Sequence, residues 1–379
     1  MESLRNRAIE PFEVHSSSGS RAQWHNGPIP QTSLRRSLLS WFRRQARPLP
    51  WRRTRSPYAI WVSEVMLQQT QVGTVIPYYL RFLRAFPTVR RLACARLDRV
   101  FELWSGLGYY RRARNLHRAA RLIVCKFGGR FPPNYRQARS LPGIGDYTAR
   151  AILSIAFDQP FAVLDGNVAR VVARLKALRG NVNQPAFRSA IERALDQWLS
   201  RRRPGNFNQA IMELGQTLCL PRAPRCPACP LRKWCKGYRS GDAVAYPEPR
   251  PRRATESHFL ATAILRRGRR VALVRGLDDG LLTDLWNFPA AFGTSPAVAR
   301  RRLREKLSTL IAGTVKFGTP LAEVRHIITH RSIRVRLYPV AAPAKFLRHP
   351  LRWFPADTLD RTAVSQLARK ISGRIGTRE

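Results

Sequence analysis

The chain has 379 residues, with 68 lysines and arginines against 23 aspartates and glutamates, for a formal charge of +45. That length suits two domains, each large enough to bury a core of its own. The charge points to a polyanionic partner, nucleic acid first, although an arginine-rich genome accounts for part of it; no run of about 18 apolar residues exists to span a bilayer.

Residues 1–32 lack the apolar core of a signal peptide and read as a flexible, partly basic arm, so the protein is expected to be soluble and intracellular. A first helix is expected from Ser33 to Gln45, ending at the prolines of RPLPWRR. Trp51, Arg52 and Arg53 then form an aromatic and cationic cluster of the kind that stacks on or pairs with nucleic acid; for the tryptophan, a core plug is the other reading. Pro57 to Thr70 reads as a helix with apolar Ile60, Trp61, Val65 and Met66. Its Glu64 is the only charge between Tyr58 and Leu80. Burial there would raise its pKa and suit it to donate a proton near neutral pH, whereas a solvated face would leave it ordinary.

Short loops join further helices at Val75–Phe86, Thr88–Cys94 and Asp98–Leu107, an all-α pattern. GLGYYRRARNLHRAARLI follows, with Tyr109 and Tyr110 able to stack on a base or to pack. From Leu141 to Val171, LPGIGDYTARAILSIAFDQPFAVLDGNVARV sets a tight glycine turn before a helix that Pro160 closes, then a second helix beyond Asp165. Gly143 and Gly145 are read as permitting backbone angles that a side chain would forbid, so that the amides at Asp146 can lie against a phosphate oxygen. Asp165 is placed either to cap its helix or to face whatever the hairpin holds.

Helices at Gln184–Ser200 and Asn206–Cys219 lead into Cys219, Cys226, Cys229 and Cys235, spaced C-x6-C-x2-C-x5-C. Four reduced thiols suit zinc or an iron-sulfur cluster. A loop so fixed would present Arg222, Arg225, Arg232, Lys233 and Lys236 to a phosphate backbone. Cys94 and Cys125 fall within helical patterns and read as small buried hydrophobes.

Gly237 to Glu256 is rich in proline and arginine without periodicity, and reads as a linker. Beyond it, Phe259–Arg266 and Arg270–Arg275 are β-rich runs joined at Arg267–Arg269, a hairpin signal. A loop with LWNFPAAF, a helix at Pro296–Ile311, strands at Ala322–Thr329 and Ile333–Val340, and a loop and helix over Ala356–Ile371 complete the pattern. The fold class is therefore mainly α, over 33–236 with the cysteine loop at 219–235, joined by the linker 237–256 to an α+β module over 257–379.

In this order and spacing, SEVMLQQTQV from Ser63, GLGYYRRARNLH from Gly106, LPGIGDYTA from Leu141, LDGNVARV from Leu164 and the four-cysteine loop closely resemble the MutY-type adenine DNA glycosylases of the endonuclease III superfamily. The resemblance runs from about Ser33 to Ile371. It implies a helix-hairpin-helix glycosylase fold whose four cysteines hold one 4Fe-4S cluster, and a Nudix-like module that reads 8-oxoguanine opposite the target adenine. It implies Glu64 as the acid that protonates adenine, Asp165 as the carboxylate that stabilises the sugar cation, and Tyr147 and Asn167 as supports for Asp165 and the attacking water. Leu67, Gln68 and Gln69 would probe the gap left by the extruded base, and Tyr109 would wedge beside the 8-oxoguanine. Trp51 and Arg52 would border the adenine pocket, with Gly143 and Gly145 against the DNA backbone.

Lyases of that superfamily carry a Schiff-base lysine where this chain has Tyr147, and no lysine occurs from Gly129 to Ala169; the resemblance thus implies a monofunctional glycosylase. The C-terminal module departs from Nudix hydrolases, offering only Glu305 where they bind metal through paired acids. Where the family has Phe-Ser-His it has Ile328, Thr329 and His330, which keep a hydroxyl and a ring donor. The implied partner is duplex DNA with an A:8-oxoguanine or A:G mispair, bound by a monomeric, cytoplasmic, nucleoid-associated protein without membrane contact. A thymine-directed relative and a non-catalytic iron-sulfur DNA-binding protein are the alternatives.

Overall fold

The computed structural model describes residues 29–248, 254–277, 285–328, 330–341 and 351–375. Most of the N-terminal arm, part of the linker and Thr329 lie outside the described residues.

Twelve helices fill the first part: α1 Gln31–Gln45, α2 Pro57–Leu67, α3 Val72–Ala85, α4 Val89–Cys94, α5 Leu97–Trp104, α6 Arg111–Phe127, α7 Tyr135–Arg139, α8 Asp146–Phe157, α9 Gly166–Lys176, α10 Pro185–Trp198, α11 Pro204–Thr217 and α12 Lys236–Arg239. Their starts follow local chemistry. Ser56, Thr88, Asn134 and Asp165 each accept a backbone amide of the first turn from an N-cap position, which satisfies donors the helix itself cannot. One hydrophobic core joins these helices, with Trp61, Phe82, Phe101, Trp104 and Phe207 fully buried.

Three sequence expectations are corrected here. The helix expected to run to Thr70 stops at Leu67, and Gln69 takes a left-handed φ of 55°. The reason is remote: Arg112 donates to the carbonyls of Val65, Met66 and Gln68, which local periodicity cannot reveal. Cys94 and Cys125 are exposed rather than buried, because the stripe that α6 buries runs through Ala113, Leu116, Ala120 and Ile123 and leaves position 125 outside it. The segment read as a linker begins with α12 and a 3-10 turn at Ala243–Ala245, and Arg174 on α9 donates to the carbonyl of Tyr246 at 3.0 Å.

The second part holds β1 Glu256–Ile264, β2 Arg266–Arg267, β3 Arg270–Arg275, β4 Trp286–Asn287, β5 Ala290–Gly293, α13 Pro296–Leu310, β6 Lys316–Phe317, β7 Ala322–Ile328, β8 Arg331–Ala341, β9 Arg352–Pro355 and α14 Gln366–Ile375. The larger sheet runs β5-β1-β8-β6 with β7 also on β8; β3 centres the smaller one. Side chains of β1 alternate between faces. Leu260 and Ile264 pack with Leu367 and Ile371 of α14, while Ala261 and Ala263 pack with Leu303 and Leu307 of α13. The hairpin expected between two long strands is confined to β2 and β3, with Arg267 opposite Arg270; β1 instead pairs in parallel with β8 and antiparallel with β5.

The two parts touch at defined points. Arg275 pairs with Asp98 at 2.6 Å, and Arg369 on α14 donates to Ser105 Oγ at 2.7 Å. Among the described residues, no helix is long and apolar enough to cross a membrane.

Candidate active site

Helix α2 buries every residue from Ala59 to Met66, Glu64 included, as a helix apolar on all sides must. The solvated-face reading of Glu64 is thereby excluded, since the residue is 7% exposed. Burial pushes its carboxyl up to about 7; a hydrogen bond from Tyr147 opposes the rise and the charge of Asp165 adds to it. Glu64 therefore holds a proton near neutral pH.

Asp165 both caps α9 and faces the same space. One carboxylate oxygen accepts the Val168 amide at 2.7 Å and the other accepts the Asn167 side-chain amide at 3.1 Å. The two roles weighed for it as alternatives coexist because one oxygen satisfies the cap. Asn167 is itself fixed, its carbonyl accepting Arg170 Nη2 at 2.9 Å. Arg170 also donates to the carbonyls of Gly215 and Cys219, each at 2.8 Å, so α9 ties Asp165 at one end to the cysteine loop at the other.

Glu64, Tyr147, Asp165 and Asn167 line one cavity of about 990 Å³, walled also by Trp51, Arg52, Leu67, Gln68 and Gln69. Its size is at the upper end for sites that take a small molecule or one nucleotide, roughly 300–1,000 Å³. Tyr147 lies at the start of α8, with its hydroxyl 3.1 Å from Met212 Sδ. Burial, then the charges of Glu64 and Asp165, hold its phenol well above the usual range, so it acts as a neutral donor. Among the described residues, no lysine lines the cavity.

Trp51 and Arg52 reach this cavity from inside the fold. Trp51 packs edge-on against Tyr79, with ring centroids 5.4 Å apart, and so is a core plug with one edge on the cavity. Arg52 pairs with Glu213 at 2.8 Å and is not a loose phosphate ligand. Sequence reading missed Glu213 and Arg47. The Glu213 side chain is fully buried on α11 and takes bonds from Arg47 at 2.6 and 2.7 Å, which hold its carboxyl down at about 2 against the upward push of burial. A single acid within the apolar run FNQAIMELGQ was the available signal.

Gln69 and Tyr109 are exposed, and both border a second, smaller cavity of about 310 Å³ beside Gly143. Gln68, read as a base contact, bonds Thr148 Oγ1 at 3.2 Å. Gly143 has φ +79°, and a Cβ there would meet Asn115, so glycine is required. Gly145 is corrected: its φ of −80° is open to any residue, because it is an extended N-cap, and the space around it is clear. Asp146 beside it is held by Tyr135 and Arg150. His330 lies far along the chain on the β7–β8 turn, with Nε2 at 3.1 Å from Glu256.

The charge of Cys219 bears on Cys226, Cys229 and Cys235 alike. Burial pushes Cys229 up to about 12 and Cys235 up to about 11. Arg174 clasps the loop through the carbonyls of Leu220 and Pro221 at 2.7 and 2.8 Å and approaches Cys219 Sγ at 3.4 Å. Among the described residues no three His, Cys, Asp or Glu side chains are arranged around a single metal ion. Four thiols and no histidine make a soft, all-sulfur donor set, the chemistry that iron-sulfur clusters use.

Residues 62–200 match the family described as HhH-GPD superfamily base excision DNA repair protein, and residues 261–373 match the NUDIX domain. The mouse protein (Mus musculus) named "Adenine DNA glycosylase" is 35% identical over 410 residues, spanning 92% of this chain and 80% of its own. A Buchnera aphidicola protein of the same name is 42% identical over 203 residues, 53% of this chain and 57% of its own. Among solved structures, a thermostable thymine-DNA glycosylase superposes with a TM-score of 0.51 at 27% identity, covering 55% of this chain and 97% of that one. With 35% identity to the mouse protein across 92% of this chain and 80% of that one, and with its helical part and its α+β unit matching the two family descriptions, the chain belongs to the adenine DNA glycosylase family.

Proposed function

We propose that this protein hydrolyses the N-glycosidic bond of adenine mispaired with 8-oxoguanine or guanine in duplex DNA. The observation that supports it most directly is that Glu64, protonated near neutrality, and Asp165 line the same cavity. Breaking a glycosidic bond requires neutralising the departing base while positive charge grows on the sugar. Glu64 gives its proton to a ring nitrogen of adenine as the C1′–N9 bond breaks, and the electron pair leaves with the base. Asp165, held by Asn167 and the Val168 amide, faces the sugar cation and draws water to C1′. Water adds its oxygen to the sugar and releases a proton, so that the products are adenine and an abasic site. Such chemistry needs the base outside the stack.

Among the described residues the cavity has no lysine to form a Schiff base, which supports a monofunctional enzyme. Arg52 lines the cavity and is anchored behind it by the buried Glu213, which leaves it as a donor suited to the edge of a purine. The 257–379 module, with His330 supported by Glu256, would face the opposite base; its α13 offers Glu305 without a second acid, so nucleotide hydrolysis is not assigned to it. Cys219, Cys226, Cys229 and Cys235 would hold a 4Fe-4S cluster, which when bound supplies a rigid cross-link for the loop. The exposed Arg222, Arg225, Lys233 and Lys236 would meet phosphates.

The test is single-turnover cleavage of duplexes carrying A:8-oxoguanine, A:G, A:C, A:T and T:G, with alkali revealing abasic sites. Excision of adenine opposite 8-oxoguanine and guanine is expected. Preferential removal of thymine, or excision untouched by Asp165→Asn, would overturn the reading.

A further inference from the structure

Two exposed residues at the mouth of the smaller cavity carry the same backbone distortion. Gln69 has φ 55° and Tyr109 has φ 48°, a left-handed conformation that a non-glycine residue keeps only where its surroundings impose it. What imposes it is shared. Arg112, buried in the first turn of α6, sends Nη1 to the carbonyls of Val65, Met66 and Gln68. Its Nη2 donates to Thr70 Oγ1, Leu107 O and Gly108 O, each at 3.1 Å. The bonds thus flank Gln69 on both sides and reach the two residues before Tyr109. The guanidinium also lies 5.3 Å from the Tyr109 ring centroid and 5.4 Å from that of Trp104. Helix α2, which carries Glu64, is gripped through its last carbonyls by the same group.

We propose that Arg112 is a positioning residue that fuses the Gln68–Thr70 and Leu107–Tyr109 loops into one wedge, so that Gln69 and Tyr109 enter the base stack together and recognition on one strand is coupled to extrusion on the other. The inference rests on the reading that this protein extrudes a base from duplex DNA. A planar fork is required. The four N–H groups of Nη1 and Nη2, spread in one plane, are shared among six carbonyl and hydroxyl acceptors on the end of α2 and the two loops; an ammonium at the same place has three N–H groups and no plane. A structural plug would need only volume and charge.

The test is a double-mutant cycle on extrusion, read by the fluorescence of 2-aminopurine placed at the target position opposite 8-oxoguanine. Gln69→Ala and Tyr109→Ala are made singly and together, first in the natural background and then with Arg112→Lys. The expected result is strong coupling in the natural background, about tenfold in the extrusion equilibrium, and additivity within about twofold with Arg112→Lys. Thr70→Val, which removes one acceptor and keeps shape, covers the case in which Arg112→Lys does not fold, and should reduce the coupling part-way. Additive effects of Gln69→Ala and Tyr109→Ala in the natural background, or coupling unchanged by both Arg112→Lys and Thr70→Val, would overturn the proposal. Fluorescence reports extrusion without chemistry, so a protein that extrudes the base but releases no adenine sinks the functional reading and leaves the wedge test standing.

Discussion

The Tyr147 phenol and the Glu64 carboxyl share one cavity and each bears on the titration of the other, so the buried acid has a phenol and not a cation as its polar partner. A cation would draw the Glu64 carboxyl down and leave it ionised at neutral pH; the phenol lets burial prevail. Glu64→Gln removes the transferable proton while keeping shape and hydrogen bonding. The single-turnover rate should fall by about 10²–10⁴ with mispair affinity within a few-fold of the parent, measured by quench-flow and anisotropy. A Glu64→Gln protein with parental rate would remove Glu64 from the mechanism.

The same carboxyl sets a pH dependence in two observables. Activity requires the protonated acid, so the rate should decline as pH rises through about 7, and Glu64→Gln should abolish that limb. For stability, the folded-state pKa is raised above the unfolded carboxylate value, so the folded chain binds more protons between roughly pH 4.5 and 7. The contribution is fully present below the unfolded pKa and is lost as pH rises through about 7, a loss of roughly 3 kcal/mol for a shift of this size. Glu64→Gln should therefore raise Tm more at pH 8 than at pH 5. A calorimetric difference of the opposite sign would show that Glu64 ionises freely in the folded state.

Asp165→Asn separates the two jobs of that side chain. Asparagine caps a helix about as well as aspartate, so Tm should move by less than about 1 kcal/mol of equivalent stability. The anion opposite the sugar is gone, however, and the rate should fall by at least about 10². Equal losses of Tm and rate would make Asp165 a structural cap alone.

Glu64 and Asp165 were legible because each leaves a local mark: a lone charge inside an apolar helix, and an aspartate just ahead of one. The helical part was legible for the same reason, its helices following apolar periodicity and caps. What the sequence hid depends on long reach. Glu213 meets Arg47 and Arg52 across 166 and 161 residues, and α2 ends at Leu67 under the hold of an arginine 44 to 47 residues away. In the second part, β4 and β6 are two residues long, below what alternation can signal, and β1 finds its parallel partner β8 about 75 residues later, past a turn that looked like a hairpin.

Glu213→Gln tests the buried anchor of Arg52, which lines the cavity. The buried acid neutralises Arg47 and Arg52, and taking away one partner of such a group leaves charge that is no longer matched; the cost is about 3 kcal/mol for fully buried pairs, less here because Arg47 is about one-third exposed. Stability should fall by a smaller amount of that order in urea titration. Adenine excision should fall as well, because Arg52 loses its anchor at the cavity wall. A stable Glu213→Gln protein with parental excision would mean that this anchor is neither structural nor functional.

The cysteine loop makes the last prediction because it acts at a distance through named bonds. Arg170 and Arg174 on α9 hold the carbonyls of Cys219, Leu220 and Pro221, and the same helix presents Asp165 at its other end. Releasing the loop frees Arg170, then Asn167, then the Asp165 oxygen that Asn167 supports. Cys229→Ser should lower the iron bound per chain and lower Tm, and in the protein that remains folded the excision rate should drop more than mispair affinity. Arg170→Met, which leaves all four sulfurs in place, should retain iron while reproducing the rate loss. If Arg170→Met excises adenine at the parental rate, the loop and the carboxylate are independent, and α9 is a strut without a catalytic consequence.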